Sequence, residues 1–194
     1  MAPHQPLSAT VSASDLLEGG SDARFRQLVY DLFTVSVRME AVRDALARDL
    51  GVSGPQYSIL MAIARLAGSD GVAVRLVADQ LHVTGAFVTV EAGKLVRLGL
   101  VEKSPNPRDG RSVLLRLSER GGAALEDISP KVRSINDRFF GRLDRADFTN
   151  LARAAATLVR DADAAVEIAQ TTDSAPAADG RGGGTDGGER TIPD

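Results

Sequence analysis

Cysteine is absent from the 194 residues. Its absence excludes disulfide staples, thiolate metal ligands, a Cys nucleophile and thiol-based sensing, and it suits a reducing compartment. Histidine is scarce: the chain has 2, at positions 4 and 82, too few for an all-protein zinc centre. No apolar run approaches the ~20 residues of a membrane span. Residues 1–22 hold neither Lys nor Arg, so the charged start of a secretory signal is missing and a soluble, cytoplasmic protein is expected. Nor is there a glycine-rich phosphate loop between a strand and a helix, or a Ser/His/acid set beyond chance. Neither an enzyme nor a cofactor is expected.

What is present is an ordinary globular mixture, 43% hydrophobic and 25% charged, with room for one domain plus tails or two very small domains. The net charge of −3 is unevenly spread. Asp15, Glu18 and Asp22 give residues 1–22 a charge of −3, and residues 171–194 carry −3 as well, which leaves +3 on residues 23–170. A mildly basic middle between acidic ends permits a polyanionic partner. The Gly/Ala/Asp-rich stretch 175–188 has almost no bulky apolar residue and cannot offset its ordering entropy. No helical or strand period precedes Asp22. Residues 1–21 and 171–194 are therefore expected to be disordered tails.

Between the tails the apolar spacing predicts mostly helix. Phe25, Leu28, Val29, Leu32, Val35, Met39, Val42, Leu46 and Leu50 recur at three- and four-residue steps, a long amphipathic helix over 22–50 stopped by Gly51. Phe33 and Val37 widen its apolar surface beyond one stripe, as in a helix that contacts more than one body. Ser53-Gly54-Pro55-Gln56 fits a capping box, with Val52 and Tyr57 as a hydrophobic staple, and opens a helix through Ile59, Leu60, Ile63 and Leu66. Val72, Ala73 and Val74 read as a short strand, and residues 75–81 as two helical turns. His82-Val83-Thr84 reads as a tight turn in which Thr84 caps a helix over 85–98 that Gly99 ends. Residues 100–104 and 112–117 alternate as strands around a turn-rich loop, 105–111. Ser118 caps a helix that ends at Gly141 and that Pro130 should kink. Asp144 begins a last helix with Phe148, Leu151, Ala155, Leu158, Ala162, Val166 and Ala169 on one stripe.

Helix, turn, helix, strand, basic loop and strand within about 45 residues is a winged helix-turn-helix order, in which a helix enters the major groove and a hairpin carries cations to the DNA backbone or the neighbouring minor groove. Within 71–117 the cations Arg75, Lys94, Arg97, Lys103, Arg108, Arg111 and Arg116 face Asp79, Glu91, Glu102 and Asp109, a net +3. The whole surplus of the middle segment thus falls on this unit.

The stretch from Leu95-Val96-Arg97-Leu98-Gly99-Leu100-Val101 through Asn106-Pro107-Arg108-Asp109-Gly110-Arg111-Ser112 to Leu117-Ser118-Glu119-Arg120-Gly121 resembles regulators of the MarR (multiple antibiotic resistance) type, a resemblance running over residues 22–170. Gly110 departs from the polar or charged residue more usual there, and His82 from a small turn residue. The resemblance implies a mainly α fold: a winged helix-turn-helix domain at 51–117 with a small β-hairpin wing, and a helical dimerisation region at 22–50 and 118–170. It implies a homodimer on a pseudo-palindromic double-stranded operator. Arg111 would enter the minor groove with Asp109 orienting it, Arg108 would contact phosphate, and Thr84, Gly85, Ala86, Phe87, Thr89 and Val90 would face the major groove with Lys94 nearer the backbone. Read without the resemblance, Phe87 fits the core as well as the groove, Arg108 and Arg111 fit solvated loop charges, and His82 fits a left-handed turn residue better than a ligand contact.

In the family a small effector, often an aromatic acid, binds between the dimer helices and the DNA-binding lobe and releases the operator. Candidate polar groups near that junction are Ser36, Arg38, Arg43, Tyr57, Met61 and Arg65, with an Arg to clamp a carboxylate and Tyr57 to bond a ring substituent. The same arginines also fit surface or interhelix ion pairs. Lacking Cys, the chain cannot be a thiol peroxide sensor of the family's redox type. The function implied is a ligand-responsive dimeric transcriptional regulator acting as a repressor. The alternative is a winged helix serving protein–protein assembly without an effector, whose mark would be an uncharged wing.

Overall fold

Side-chain caps and left-handed stops divide the chain into its helices. In the computed structural model, which describes residues 8–107 and 109–172 and of Arg111 and Thr172 the backbone alone, α1 covers Ala23–Asp49 and α2 Gly54–Leu66. Gly51 closes α1 at φ +69°. Its N–H donates to Arg48 O at 3.1 Å while Val52 N–H donates to Ala47 O at 2.9 Å, a paired stop that needs a left-handed residue. The capping box is present: Ser53 Oγ accepts from Gln56 N–H at 3.4 Å and Gln56 Oε1 accepts from Ser53 N–H at 3.0 Å. Strand β1 (Val72–Ala73), α3 (Val74–Leu81) and α4 (Gly85–Arg97) follow. His82 is the left-handed turn residue, at φ 52°, and Val83 N–H returns to Ala78 O at 3.1 Å. Thr84 Oγ1 accepts from Phe87 N–H at 3.2 Å and starts α4.

The hairpin differs from expectation. Strand β2 is Val101–Asn106 and β3 is Asp109–Leu117, so pairing extends through most of the stretch expected as a loop. The three strands are antiparallel in the order β1-β3-β2. Because β2 is an edge strand, Pro105 can sit in it with no ladder bond lost. Val72 and Lys103 both stand opposite Leu115, and the register slips between Pro105 and Asn106 so that Asn106 faces Asp109. The turn itself contains Arg108, which lies outside the described residues.

One core joins α2, α3, α4 and the sheet through Ile59, Leu60, Ile63, Val77, Val88, Leu95, Val101 and Leu115, all under 2% exposed. A smaller cluster of Leu46, Ala47 and Tyr57 takes in Ile128, Val132 and Ile135 from α5 (Glu119–Phe140), and Lys131 pairs with Asp49 at 2.6 Å beside it. Helix α5 continues through Pro130, where the missing N–H falls on an exposed turn.

The segment before α1 corrects the expectation of a disordered tail over the residues described. Ser14–Leu16 form a 3-10 turn, Glu18 and Ser21 make an antiparallel bridge, and the Asp22 carboxylate, 5% exposed, accepts from Thr10 N–H at 2.7 Å and Thr10 Oγ1 at 2.9 Å. The tie is polar and joins residues 12 positions apart, so it leaves no apolar period to read. The backbone N–H of Thr10 is the main cause that holds the Asp22 carboxyl below its usual range. Residues 1–7, and the C-terminal tail from 173 on, lie outside the described residues.

The chain divides after Arg138 into two units. In the second, Asp144 Oδ1 accepts from Asp147 N–H at 2.8 Å and caps α6 (Arg145–Thr172). All of α6 up to Thr171 is exposed, Phe148 at 62% and Ile168 at 69% among them.

Two adjacent glycines in the first turns of α5 give a matched test of packing. A Cβ on buried Gly121 would overlap the Leu100 carbonyl, whereas one on Gly122 would meet nothing within 4 Å. Gly121→Ala is expected to destabilise by about 1–3 kcal/mol through overpacking. Gly122→Ala should stabilise by about 0.5–1 kcal/mol through helix propensity. Urea denaturation of the two variants checks the pair, and equal midpoints would show that the α5–Leu100 contact is not tight.

Candidate nucleic-acid interface

Helix α4 is held by one face and shows the other. Val88, Ala92 and Leu95, all 0% exposed, lock it into the core. Thr84, Gly85, Ala86, Phe87, Thr89 and Val90 are all exposed, Phe87 at 39% and Val90 at 58%. Of the two places the sequence allowed for Phe87, the structure puts it on the surface and gives the core position to Val88. A Cβ on Gly85 would meet nothing within 4 Å, so no packing demand explains the glycine, and its lack of a side chain lets another molecule approach the helix start. Thr84 Oγ1 accepts the cap bond and keeps its own O–H to donate. Thr89 Oγ1 donates to Gly85 O at 2.8 Å and keeps lone pairs to accept.

The hairpin beside α4 is closed by Asn106 Nδ2, which donates to Ser112 Oγ at 2.7 Å, and by Ser112 Oγ, which donates to Asp109 O at 3.1 Å. Asp109 and Gly110 are exposed at the tip. Arg111 follows on β3; its side chain, the whole of Arg108, and the expected Asp109–Arg111 pairing lie outside what is described.

Acidic partners already hold several of the cations in this unit. Arg116 sits opposite Glu102 across the hairpin and meets it through Nε at 2.8 Å and Nη2 at 2.6 Å. Arg75 lies 3.7 Å from Asp79, and Lys94 Nζ lies 2.6 Å from Glu91 Oε1. Lys94 is therefore engaged on its own helix. Arg97 and Lys103, which the sequence did not single out, converge on one side of α4: a Cβ on Gly93 would lie 3.9 Å from Lys103 Nζ and 4.0 Å from Arg97 Nη1. Lys103 also lines a cavity of about 440 Å³ with Arg75, Gly85, Thr89, Ser112 and Val113, between α3, α4 and the hairpin. Only the strand register brings Lys103 there, so no local signal could have found it.

Four of the six effector candidates come together. Arg43, Tyr57, Met61 and Arg65 line a cavity of about 320 Å³ with Gln80 and Leu81. Ser36 lines a neighbouring surface depression that shares Arg43, and Arg38 lines neither. Arg43 bonds Asp44 through Nε and Nη2, both at 3.1 Å. Tyr57 is 8% exposed, and burial raises its phenol above the usual range, so it stays protonated as a donor.

Among the described residues no cluster of His, Asp or Glu could hold a metal ion, and no helix is long and apolar enough to cross a membrane.

Residues 50–112 match the family model described as MarR family. No curated protein sequence matches the chain. Among solved structures, the MarR/EmrR family transcriptional regulator of Acinetobacter sp. ADP1 is 18% identical, with TM-score 0.60, over 71% of this chain and 96% of that one. A mutant MarR of E. coli complexed with operator DNA is 22% identical, with TM-score 0.58, over 71% and 99%. The M. tuberculosis regulator MOSR in complex with DNA is 22% identical, with TM-score 0.56, over 71% and 96%. At these identities the structures establish the shared fold, a mainly helical winged helix. Residues 50–112 thus carry the sequence pattern of the MarR family, on the winged-helix fold that those structures share.

Proposed function

We propose that the chain is a dimeric, ligand-responsive transcriptional regulator that binds a pseudo-palindromic operator in the cytoplasm, represses there, and is released by a small aromatic acid. The observation that carries this reading is the division of α4, whose inner stripe is locked in the core while its N-terminal face stands exposed beside a hairpin. In the proposal Ala86, Phe87 and Val90 pack against base edges or thymine methyls, and the hydroxyls of Thr84 and Thr89 bond bases or phosphates. Gly85 admits the backbone, Arg108 meets phosphate, and Arg111, set by Asp109, enters the minor groove. Residues 51–117 form the DNA-binding domain. The two DNA-bound relatives support the assignment by analogy of fold.

Residues 22–50 and 118–170 form the dimerisation region. From Tyr30 to Ala41 every residue of α1 is exposed, including Phe33 at 65% and Val37 at 60%. Apolar surface so extensive marks an interface, and a twofold partner would match an operator with half-sites one helical turn apart. The effector would occupy the cavity at Tyr57, whose volume of about 320 Å³ is at the small end of ligand sites. Its carboxylate would draw the Arg43 guanidinium from Asp44 or bond Arg65, and Tyr57 would donate to a ring substituent. Release requires only that this ligand prefer the conformation that DNA does not.

Operator sequences can be selected by the protein from a random duplex pool. On such a site Phe87→Ala should leave stability within about 0.5 kcal/mol, as for an exposed residue. Phe87→Ala and Arg111→Ala should each cost about 1–3 kcal/mol of binding; unchanged binding by both would remove α4 and the hairpin from the interface. Val37→Glu should turn the dimer into monomer in light scattering, and a dimer that survives it does not use this face. A thermal-shift screen of small aromatic carboxylates should find one that stabilises the free protein, releases the operator and loses its effect in Arg65→Ala. A compound that acts equally on that variant binds elsewhere.

A further inference from the structure

Three side chains tie the start of α2 to the middle of α4. Gln56, 8% exposed, uses both ends of its amide: Oε1 accepts from Ser53 N–H at 3.0 Å, and Nε2 donates to Glu91 Oε2 at 2.9 Å. The capping bond fixes which end is oxygen, and so fixes the NH2 toward the carboxylate. The other oxygen of Glu91, Oε1, takes Lys94 Nζ at 2.6 Å. The Glu91 side chain is only 12% exposed, whereas that of Lys94 is 45% exposed. Lys94 lies one turn beyond Val90 on the outward face of α4.

An exposed lysine on that face would ordinarily be the cheapest source of affinity for any duplex, since each phosphate it neutralises releases a counterion regardless of sequence. Here its ammonium is held by the carboxylate of a side chain that is mostly covered. Moving Lys94 to a phosphate would leave the Glu91 carboxylate, on a side chain only 12% exposed, with Gln56 as its one remaining partner in the triad, at a greater cost than for a fully exposed pair. An ordinary exposed pair one helical turn apart would yield far more readily. The hydrogen bonds from Lys94 first, and Gln56 second, also hold the Glu91 carboxyl below its usual range, so the anion persists at neutral pH.

We infer that Glu91 is a specificity-determining residue that masks Lys94: anchored by Gln56, it withholds one sequence-independent phosphate contact per protomer from DNA. The inference rests on the DNA-binding reading above and adds to it. Glu91 acts on discrimination by keeping binding to arbitrary sequence weak, leaving the exposed apolar and hydroxyl groups of α4 to carry a larger share of the affinity.

The test is the salt dependence of the full chain on a duplex of random sequence, for the parent, Glu91→Gln, Lys94→Ala and the double variant. Glu91→Gln keeps the shape and an acceptor for Gln56 but drops the charge that holds Lys94. Its log K against log[salt] slope should steepen by about 0.9 for each lysine released, with tighter random-sequence binding at low salt. Lys94→Ala should keep the parental slope, and the double variant should return to it. A parental slope in Glu91→Gln, or a shallower one in Lys94→Ala, overturns the masking while leaving the DNA-binding reading intact. A parent that binds no duplex at low salt defeats both. Should Glu91→Gln prove unfolded by thermal scanning, Lys94→Ala alone still decides, because a masked lysine contributes no slope to lose.

Discussion

The seating of α4 governs most of what this structure can do. Val88, Ala92 and Leu95, spaced four and three residues apart, are wholly buried, and they meet side chains from α2, α3 and the sheet at once. A helix of 13 residues would be marginal alone in water. Fixed along this stripe it becomes a rigid rod with a set rotation, so which of its residues reach the surface is decided by the core. A shift of one residue in that stripe would carry Phe87 inward and Val88 outward. The exposed face is thus a product of packing, and its precision as a recognition surface in the proposed function comes from residues that touch no ligand.

Caps and stops were open to sequence reading because their chemistry is local. The Ser53/Gln56 box, the Thr84 and Asp144 caps and the stop at Gly51 each involve residues within five positions of one another, and each forms where the spacing places it. His82 belongs with them: a non-glycine residue is unusual in the left-handed region, yet the turn position alone was enough to expect it there. Features that depend on distant pairing were not open in the same way. The hairpin strands reach Asn106 and Asp109 because β3 is held between β1 and β2, and no alternation of apolar residues marks that end. The Thr10–Asp22 tie has no periodic signature. Within the candidate site, the exposed residues of α4 followed from the helical pattern, while the meeting of Arg97 with Lys103 at Gly93 needed the sheet register.

Charge shows most clearly how far composition can mislead. The winged-helix segment has a net surplus of positive charge, yet its cations are not equivalent. Arg116 is clasped in two bonds by the carboxylate opposite it, and Lys94 is held by Glu91. A count of lysines and arginines overstates the field that a polyanion would meet, and it misplaces that field as well. The neutralised pairs lie along β2/β3 and the middle of α4. Lys103, in contrast, lies at the cleft between helix and hairpin, where a duplex backbone crossing from one groove to the next would pass in the proposed complex.

The same residues that open α2 connect the two proposed ligand sites. Gln56 closes the helix cap and holds Glu91 on α4, and its neighbour Tyr57 looks into the cavity bounded by Arg43 and Arg65. Any ligand that rotates the first turn of α2 must therefore strain either the cap or the bond to Glu91. Of the two cap bonds, the one at 3.4 Å is weak and the one at 3.0 Å ordinary, and the charge-assisted Gln56–Glu91 bond at 2.9 Å is the strongest of the three. A displacement begun at Tyr57 would accordingly load a polar contact that spans 35 residues of sequence together with the apolar packing of α2 on α4, because close-packed side chains transmit strain.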